Sequence, residues 1–152
     1  MSTIPSLARP IPVPSPLTQP FWDAARAGRL EIQRCESCAK YTHPPAPFCI
    51  RCSGRLAFTP VSGRGTVRAC TVMHNPSVLA LRDAVPYTVI VVELDEQDDV
   101  LLVSNLPEHA SGEPVIGKPV EVWFEPIGDG MSLPQFRLAG SASSPTNAAK
   151  GA

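Results

Sequence analysis

The alternation of apolar and polar positions predicts one short helix near the start of the chain and strands after it. The helix is predicted over residues 18–27, because Thr18 can cap the first turn and Gly28 suits the left-handed position that ends a helix. Phe21 and Trp22 begin an apolar stripe along it. A helix this short is not stable alone, so we expect the stripe to be buried against its own domain or against another subunit.

Seven further stretches have the period of two that indicates strands. Two of them, residues 30–34 and 56–61, flank a cysteine-rich segment. From Gly65 onward the pattern is β-rich only, with runs at residues 66–74, 87–94, 100–105, 120–125 and 135–138. Five antiparallel strands with a longer connection between the third and the fourth predict a small barrel of the OB type. We therefore expect a mainly β fold: a short N-terminal helix, a zinc ribbon and a five-stranded OB-fold barrel.

Proline and small residues mark the two ends of the chain. Six of the eighteen prolines fall within the first twenty residues, where they prevent regular helix, and residues 141–152 consist mainly of Ser and Ala. We expect four segments: a disordered proline-rich arm over residues 1–17, the helix with the ribbon over 18–62, the OB-fold domain over 63–139, and a disordered tail over 140–152.

Four cysteines form two Cys-x-x-Cys pairs. Cys35 and Cys38 are followed, after ten residues, by Cys49 and Cys52. Two such pairs supply the four thiolates of a tetrahedral Zn²⁺ site, and such a site has no open position for water, so we expect a structural metal. Two disulfides are an alternative that a chain without a secretion signal disfavours. Iron in the same four-sulfur site stays open, because tetrahedral sulfur ligation suits both metals.

The net charge of −1 conceals an uneven distribution. Residues 1–64 hold eight Lys or Arg against three acids, a balance of +5, whereas residues 65–138 hold four against eleven, a balance of −7. Contacts of Lys and Arg with phosphates supply most nucleic-acid affinity, so the acidic half is a poor nucleic-acid binder. No apolar run is long enough to cross a membrane, and the start of the chain lacks the pattern of a secretion signal. We expect a soluble, cytoplasmic protein without a membrane partner.

Outside the ribbon the sequence offers no credible nucleophile and base. Cys70 lies in the middle of a predicted strand, and we expect it to be a small buried hydrophobic residue. A Cys70–His74 pair would need an electropositive, partly exposed pocket, which the acidic half does not supply. We expect His43 to be a loop residue, and His74 and His109 to be surface or hydrogen-bonding residues.

A series of short motifs follows in order along residues 20–139. They are Phe21-Trp22, the two Cys-x-x-Cys pairs around Pro44-Pro45, Ser62-Gly63-x-Gly65-x-Val67, Thr71-Val72-x-His74, Pro86-Tyr87, Glu93-Leu94-Asp95-Glu96, Ile116-Gly117, Phe124-Glu125 and Asp129-Gly130-x-x-Leu133-Pro134-x-Phe136. This series resembles the acyl-CoA-associated DUF35 family. The resemblance implies a rubredoxin-like zinc ribbon joined to an OB-fold domain.

The resemblance also implies an accessory role. Members of the family associate with thiolase-superfamily enzymes, including lipid-transfer-protein-like aldolases of steroid side-chain breakdown, and are thought to help them bind acyl-CoA. The chain is therefore expected to be a non-catalytic subunit of a hetero-oligomer in lipid, steroid or acyl-CoA metabolism. Phe21 and Trp22 are the predicted partner contact, because so short an apolar helix needs burial that a small ribbon does not fully provide.

Under this interpretation, four arginines at the joint between the modules are the predicted contacts with the phosphates of CoA: Arg51, Arg55, Arg64 and Arg68. Two other functions stay open. Zinc ribbons and OB folds also bind single-stranded nucleic acid, and the barrel contributes four aromatic residues, Tyr87, Trp123, Phe124 and Phe136. The other alternative is an acyl-CoA thioesterase or acyl-transfer enzyme in its own right.

Overall fold

The N-terminal helix forms close to its predicted bounds. The computed structural model of the chain describes residues 10–75, 78–107 and 114–140, and its first element is α1 (Gln19–Arg26). Gly28 has a φ of 72° just after the helix, and the Arg29 N–H donates to the Ala24 carbonyl at 2.9 Å. This hydrogen bond closes the helix with a Schellman motif. The Thr18 hydroxyl lies near Ser15 and makes no cap hydrogen bond.

Three short strands form the ribbon. β1 (Glu31–Cys35) lies between β2 (Tyr41–Thr42) and β3 (Leu56–Pro60), and both pairings are antiparallel. Cys35 of β1 stands opposite Leu56 of β3, so the first cysteine lies where the strand ends and its turn begins. The short β2 has no counterpart among the predicted strands.

A five-stranded antiparallel sheet forms the second module, in the order β6-β5-β4-β7-β8. Its strands are β4 (Arg64–Met73), β5 (Tyr87–Leu94), β6 (Leu101–Asn105), β7 (Pro119–Gly128) and β8 (Met131–Leu138). The outermost strands also approach each other, since the Ser104 hydroxyl of β6 donates to the Pro134 carbonyl of β8 at 2.8 Å. The predicted mainly β class and the OB-type barrel are confirmed. A 3₁₀ helix, Leu79–Ala84, lies in the connection from β4 to β5.

The ribbon and the barrel share one hydrophobic core. Leu30 and Ile32 of the ribbon segment pack in the same cluster as barrel residues such as Ile90 and Phe136, and Phe21 of α1 packs against it. Two hydrogen bonds join the modules at the turn after β5: the Gln97 amide accepts from the Tyr41 N–H at 2.9 Å and donates to the Tyr41 carbonyl at 3.2 Å. The ribbon is therefore fixed to the barrel by side-chain packing and by paired hydrogen bonds.

One burial prediction is wrong: Cys70 is exposed. β4 pairs with β5 along its length, but it pairs with β7 only at Arg64, Gly65 and Thr66. A bulge between Val67 and Ala69 follows, and the next part of β4 has no strand over its second edge among the described residues. Cys70 faces the core side of the sheet opposite Ile90 but lies beyond the part that the barrel covers.

The predicted disordered arm and tail fall largely on residues 1–9 and 141–152, which are outside the described residues. Ile11, within the described part of the arm, lies beside Gly128 of β7. The domain bounds 18–62 and 63–139 stay predictions. Within the described ranges, no helix is long and apolar enough to cross a membrane.

Candidate metal centre and its surroundings

The two Cys-x-x-Cys loops have the same backbone geometry. In the first loop the Ala39 N–H donates to the Cys35 carbonyl at 2.9 Å, and in the second the Ser53 N–H donates to the Cys49 carbonyl at 2.8 Å. Ala39 and Ser53, each following the second cysteine of its loop, both have a positive φ, of 59° and 57°. Each loop therefore turns back on itself and points its two sulfurs to the same side.

The four cysteine sulfurs converge on one point. The Sγ atoms of Cys35 and Cys52 are 3.5 Å apart, those of Cys38 and Cys49 are 3.7 Å apart, and all four lie within 4.8 Å of one another. Sulfurs bound at about 2.3 Å to one tetrahedral metal are separated by about 3.8 Å, whereas a disulfide needs about 2.05 Å. The spacing fits a single metal ion held by four thiolates, and it contradicts the two-disulfide alternative.

Backbone N–H groups favour thiolates at this site. The pKa of Cys35 is lowered to about 6, chiefly by the hydrogen bond from the Cys38 N–H to its sulfur. The pKa of Cys49 is also lowered, by backbone hydrogen bonds from Arg51 and Cys52. The Gly54 N–H lowers the pKa of Cys52, but the neighbouring sulfurs of Cys35, Cys38 and Cys49 outweigh it and raise this pKa to about 12. A metal cation would displace the remaining protons as it binds.

Neighbouring polar side chains hold the two loops in place. The buried Gln33 side chain donates to the Ala46 carbonyl at 3.1 Å and accepts from the Ala46 N–H at 2.7 Å, which anchors the spacer between the two cysteine pairs. Glu36 and Arg55 form a two-point ion pair across the two loops, with distances of 2.7 and 3.0 Å. Sequence reasoning missed Gln33, since its partner is a backbone group thirteen residues away.

The four sulfurs leave no open coordination position for a further ligand. Cys35 and Cys49 are buried, and the four sulfurs together satisfy a tetrahedral metal without a water ligand. The donor set therefore fits a structural metal. His43, which the spacer contains, is not among the four converging groups; it is half-buried and packs against the Phe21 ring, with ring centroids 5.9 Å apart.

The four predicted phosphate-binding arginines are all exposed, but they differ in their partners. Arg55 pairs with Glu36, and Arg68 pairs with Glu93. Among the described residues, Arg51 and Arg64 have no carboxylate within ion-pair distance. Two of the four positive charges are therefore balanced within the chain, and two remain available to an anion.

The predicted partner contact is partly used within the chain itself. Phe21 and Trp22 are half-buried and lie edge to face with ring centroids 5.1 Å apart, and Phe21 packs on the shared core. Ala24 and Ala25 on the same helix are fully buried. The chain's own domain thus supplies much of the burial that the helix requires.

The Cys70–His74 pair has no support as a catalytic site. Both residues are exposed, and the described residues include no hydrogen bond between them. His109 lies outside the described residues. No nucleophile-base pair of the kind that acyl transfer requires is present around Cys70 in the described part of the chain.

A cavity of about 410 Å³ lies at the end of the barrel beside the 3₁₀ helix. The described residues of its wall combine apolar side chains with Asn105, Glu125 and Gln135, and none of them is Lys or Arg. The buried Gln135 amide donates to the Glu125 carboxylate at 2.7 Å and so fixes its position. The described lining offers no Lys or Arg to a phosphate, so the predicted phosphate contacts lie elsewhere.

Family models match both modules. The model for the rubredoxin-like zinc ribbon domain of ChsH2 matches residues 22–59, and the model for the C-terminal OB-fold domain of ChsH2 matches residues 58–125. One chain of a solved structure described as an Ltp2-ChsH2(DUF35) aldolase superimposes with a TM-score of 0.76 at 34% identity, covering 85% of this chain and 99% of that one. The fold, including the four-cysteine ribbon, is therefore similar to that of ChsH2.

Two curated relatives carry the names of enzyme subunits. A probable enoyl-CoA hydratase alpha subunit from Thermomonospora curvata is 40% identical over 78% of this chain and 37% of its own length. The 3-oxo-4,17-pregnadiene-20-carboxyl-CoA hydratase alpha subunit from Mycobacterium tuberculosis is 33% identical over 68% of this chain and 32% of its own length. This chain spans about a third of these relatives.

A more distant structure shares the fold alone. A DUF35 protein of unknown function from Sulfolobus solfataricus has a TM-score of 0.54 at 12% identity, covering 82% of this chain and 86% of that one. The arrangement of helix, ribbon and barrel thus persists where little of the sequence does.

Proposed function

Because the chain belongs to the DUF35 family of ChsH2-type proteins, with their zinc ribbon and OB-fold domain, we propose that it is a non-catalytic accessory subunit of an acyl-CoA enzyme. Its partner in this proposal is a thiolase-superfamily enzyme of the Ltp2 aldolase kind, and it helps that enzyme to bind and position acyl-CoA. The pathway class is lipid or steroid breakdown.

One observation carries this proposal: the match covers 99% of one chain of the structure described as an Ltp2-ChsH2(DUF35) aldolase, at 34% identity. The alignment includes both modules, so the proposed partner does not depend on the fold of one domain. The hydratase names of the curated relatives belong to proteins of which this chain spans about a third. They support metabolism of acyl-CoA rather than a hydratase activity of this chain.

Assembly is the first test of the proposal. We would co-express the chain with an Ltp2-type aldolase subunit and measure the mass of the product by light scattering after size exclusion. The expected result is one hetero-oligomer of fixed subunit ratio. Elution of the two proteins as separate species at micromolar concentration would contradict the proposal, because stable subunit interfaces have dissociation constants well below that range.

The metal is proposed to be Zn²⁺, held by Cys35, Cys38, Cys49 and Cys52. Elemental analysis of the purified protein should give one zinc per chain, and the protein should be colourless; iron in the same ratio with visible absorption would make it an iron site. Cys52→Ser should lose metal and stability. Cys70→Ser is the matched control, since Cys70 is also an exposed cysteine but lies outside the cluster, and it should retain both.

The basic joint is proposed to bind the nucleotide end of CoA. We expect Arg51 and Arg64 to contribute most, because Arg55 and Arg68 are engaged by carboxylates. Arg64→Ala should weaken binding of acyl-CoA by the assembled complex about tenfold, consistent with one lost charge-assisted hydrogen bond. Arg55→Ala should have a smaller effect. Unchanged affinity in an Arg51→Ala, Arg64→Ala double variant would reject this location.

Trp22 and Phe21 remain proposed partner contacts through their exposed parts. Normal assembly of a Trp22→Ala variant that folds and retains its metal would exclude them. We expect the nucleic-acid alternative to fail, because residues 65–138 carry a charge balance of −7 and the barrel residue Arg68 is paired with Glu93. A filter-binding assay with single-stranded DNA at low salt should detect no complex.

A further inference from the structure

One side of the three strands β4, β5 and β6 forms a continuous apolar surface. Along β5 the even-numbered residues from Thr88 to Leu94 are buried, so the odd-numbered residues point outward. Strand pairing places Ala69, Val91 and Val103 in one row across the three strands. We define the outer face as these outward residues of the three strands: Ala69, Thr71, Met73, Tyr87, Val89, Val91, Glu93, Leu101, Val103 and Asn105.

The outer face is unusually apolar for a surface in contact with water. An antiparallel sheet that faces solvent on one side normally carries polar residues there. Here the side chain of Val103 is 75% exposed and that of Leu101 is 42% exposed, and they neighbour the half-buried Val89 and Val91. Contiguous exposed apolar residues of this kind mark interaction surfaces more often than isolated ones do.

Acidic groups border one end of the outer face. Glu93 belongs to the face, and its carboxylate accepts a hydrogen bond from the Asp99 N–H at 3.2 Å. The turn between β5 and β6 adds the exposed Asp98 and Asp99, which lie close enough to Arg68 to act on its charge. Glu93 binds Arg68, and Lys40 and Arg51 of the ribbon line a small cavity together with Asp99. A complementary surface therefore needs an apolar centre with Lys or Arg on the corresponding side.

The sheet edge is less available than its face. At the outer edge of β6, the Ser104 hydroxyl bonds to the Pro134 carbonyl, and the Asn105 N–H bonds to the Gln135 amide at 3.3 Å. These contacts with β8 occupy the half of the edge where an added strand would pair. A partner is thus expected to pack its side chains on Val103 and Leu101 and not to extend the sheet.

We propose that the outer face is the surface on which the chain docks an apolar, Lys/Arg-rimmed patch of its aldolase partner. This inference rests on the proposed function and names the surface that function uses. A second copy of the chain is a poorer occupant, because face-to-face pairing would contribute the same acidic border from both copies.

The test compares two Val→Asp variants in the complex with the Ltp2-type aldolase subunit. Val103→Asp places a charge at the most exposed large apolar residue of the outer face, whereas Val13→Asp alters a still more exposed valine in the N-terminal arm. Both substitutions keep the side chain exposed, so both variants should fold, and metal content and melting temperature verify this. Surface plasmon resonance should show at least about 30-fold weaker binding for Val103→Asp, as expected when a charge replaces an apolar residue that the partner buries, and wild-type binding for Val13→Asp.

A third variant tests the charge of the border. Asp98→Asn with Asp99→Asn should slow association and reduce its dependence on salt, because border charges act mainly on the association rate. Unchanged association and salt dependence would contradict the Lys/Arg-rimmed partner.

The outcomes separate this inference from the proposed function. If the wild-type chain binds the aldolase and Val103→Asp binds equally well, the docking surface is wrong and the accessory role stands. If both Val→Asp variants lose binding, the outer face is again wrong as the specific surface. If the wild-type chain does not bind the aldolase, the proposed function fails and the occupant named here fails with it. Self-association of the wild type that Val103→Asp abolishes, measured by sedimentation, would make a second copy the occupant and overturn the proposal.

Discussion

Single side chains connect parts of this chain that lie far apart in sequence. The Gln33 amide holds the backbone of Ala46 beside the metal loops, and the Gln97 amide holds the backbone of Tyr41, fifty-six residues away. A side-chain amide can donate and accept at once, so it satisfies both polar groups of one residue. The spacer and the joint between the modules are each fixed by one such residue.

His43 makes the stability of the ribbon sensitive to pH. Burial lowers its pKa below the ordinary 6.5. As the pH falls through 6.5, the unfolded chain gains a proton on His43 while the folded chain does not, so protonation favours unfolding. We predict that the unfolding midpoint of the wild type decreases as the pH is lowered from about 8 to about 5.5. This decrease should be smaller in His43→Gln.

The exposed His74 provides the control for this prediction. His74→Gln removes a histidine that lies outside the ribbon and leaves His43 in place, so the fall in the unfolding midpoint attributed to His43 should persist in this variant. An NMR titration of the ring protons would measure the pKa of His43 directly. A value at or above 6.5 would contradict the argument.

At the scale of the residue, the sequence predicts the role of a side chain where that role depends on residues nearby in the sequence. The spacing of Cys35, Cys38, Cys49 and Cys52 was sufficient to predict the metal cluster, because each pair chelates within one turn. The exposure of Cys70 could not be predicted in this way. Its surroundings depend on where β7 leaves β4, and this is decided by residues about fifty positions later.

Among the elements, β4 is the strand whose residues are most constrained by neighbouring strands. It is the central strand of the barrel sheet, and it pairs with β5 on one side and with β7 on the other. Gly65 of β4 stands opposite Leu94 of β5 and Val120 of β7. A Cβ added to Gly65 would lie 2.3 Å from the Glu93 carbonyl oxygen.

Gly65→Ala should therefore weaken the barrel. A contact this short with backbone forces the two strands apart, and we expect a loss of about 3 kcal/mol in the free energy of unfolding. Gly28→Ala is the comparison: Gly28 has a positive φ but open space around it, so it should cost only about 1–2 kcal/mol. Urea denaturation measures both, and equal costs would contradict the steric argument.

The sequence pattern predicts the existence of the elements better than their ends. β5 forms over the predicted residues, because its period of two coincides with one buried and one outward row. β7 and β8 extend beyond their predicted bounds toward the turn at Asp129, where Gly128 and Gly130 also have positive φ. The proline at position 134 conceals the strand character of β8, although Pro134 is tolerated at the end strand of the sheet.

On the scale of the whole molecule, the ribbon and the barrel should unfold together. They share a hydrophobic core, and Gln97 adds paired hydrogen bonds across the joint. We predict that Gln97→Leu lowers the free energy of unfolding by about 1–3 kcal/mol, because the Tyr41 N–H and carbonyl lose their partner. In the Gln97→Leu variant, hydrogen exchange should show that the backbone amides of the ribbon open before those of the barrel.

Asp98→Asn, in the same turn, is the control for the joint. Asp98 is exposed, and none of the described hydrogen bonds involves it, so its change should leave the stability within about 0.5 kcal/mol of the wild type. A Gln97→Leu variant as stable as Asp98→Asn would indicate that the shared apolar core alone joins the two modules.

The central claim is that this chain assists another enzyme with acyl-CoA. The most direct measurement is the dissociation constant of a steroid acyl-CoA for an Ltp2-type aldolase subunit, determined by calorimetry with and without an equimolar amount of the chain. The account predicts at least about tenfold tighter binding in the presence of the chain, equivalent to about 1.4 kcal/mol. An unchanged dissociation constant, with the two proteins assembled, would contradict it.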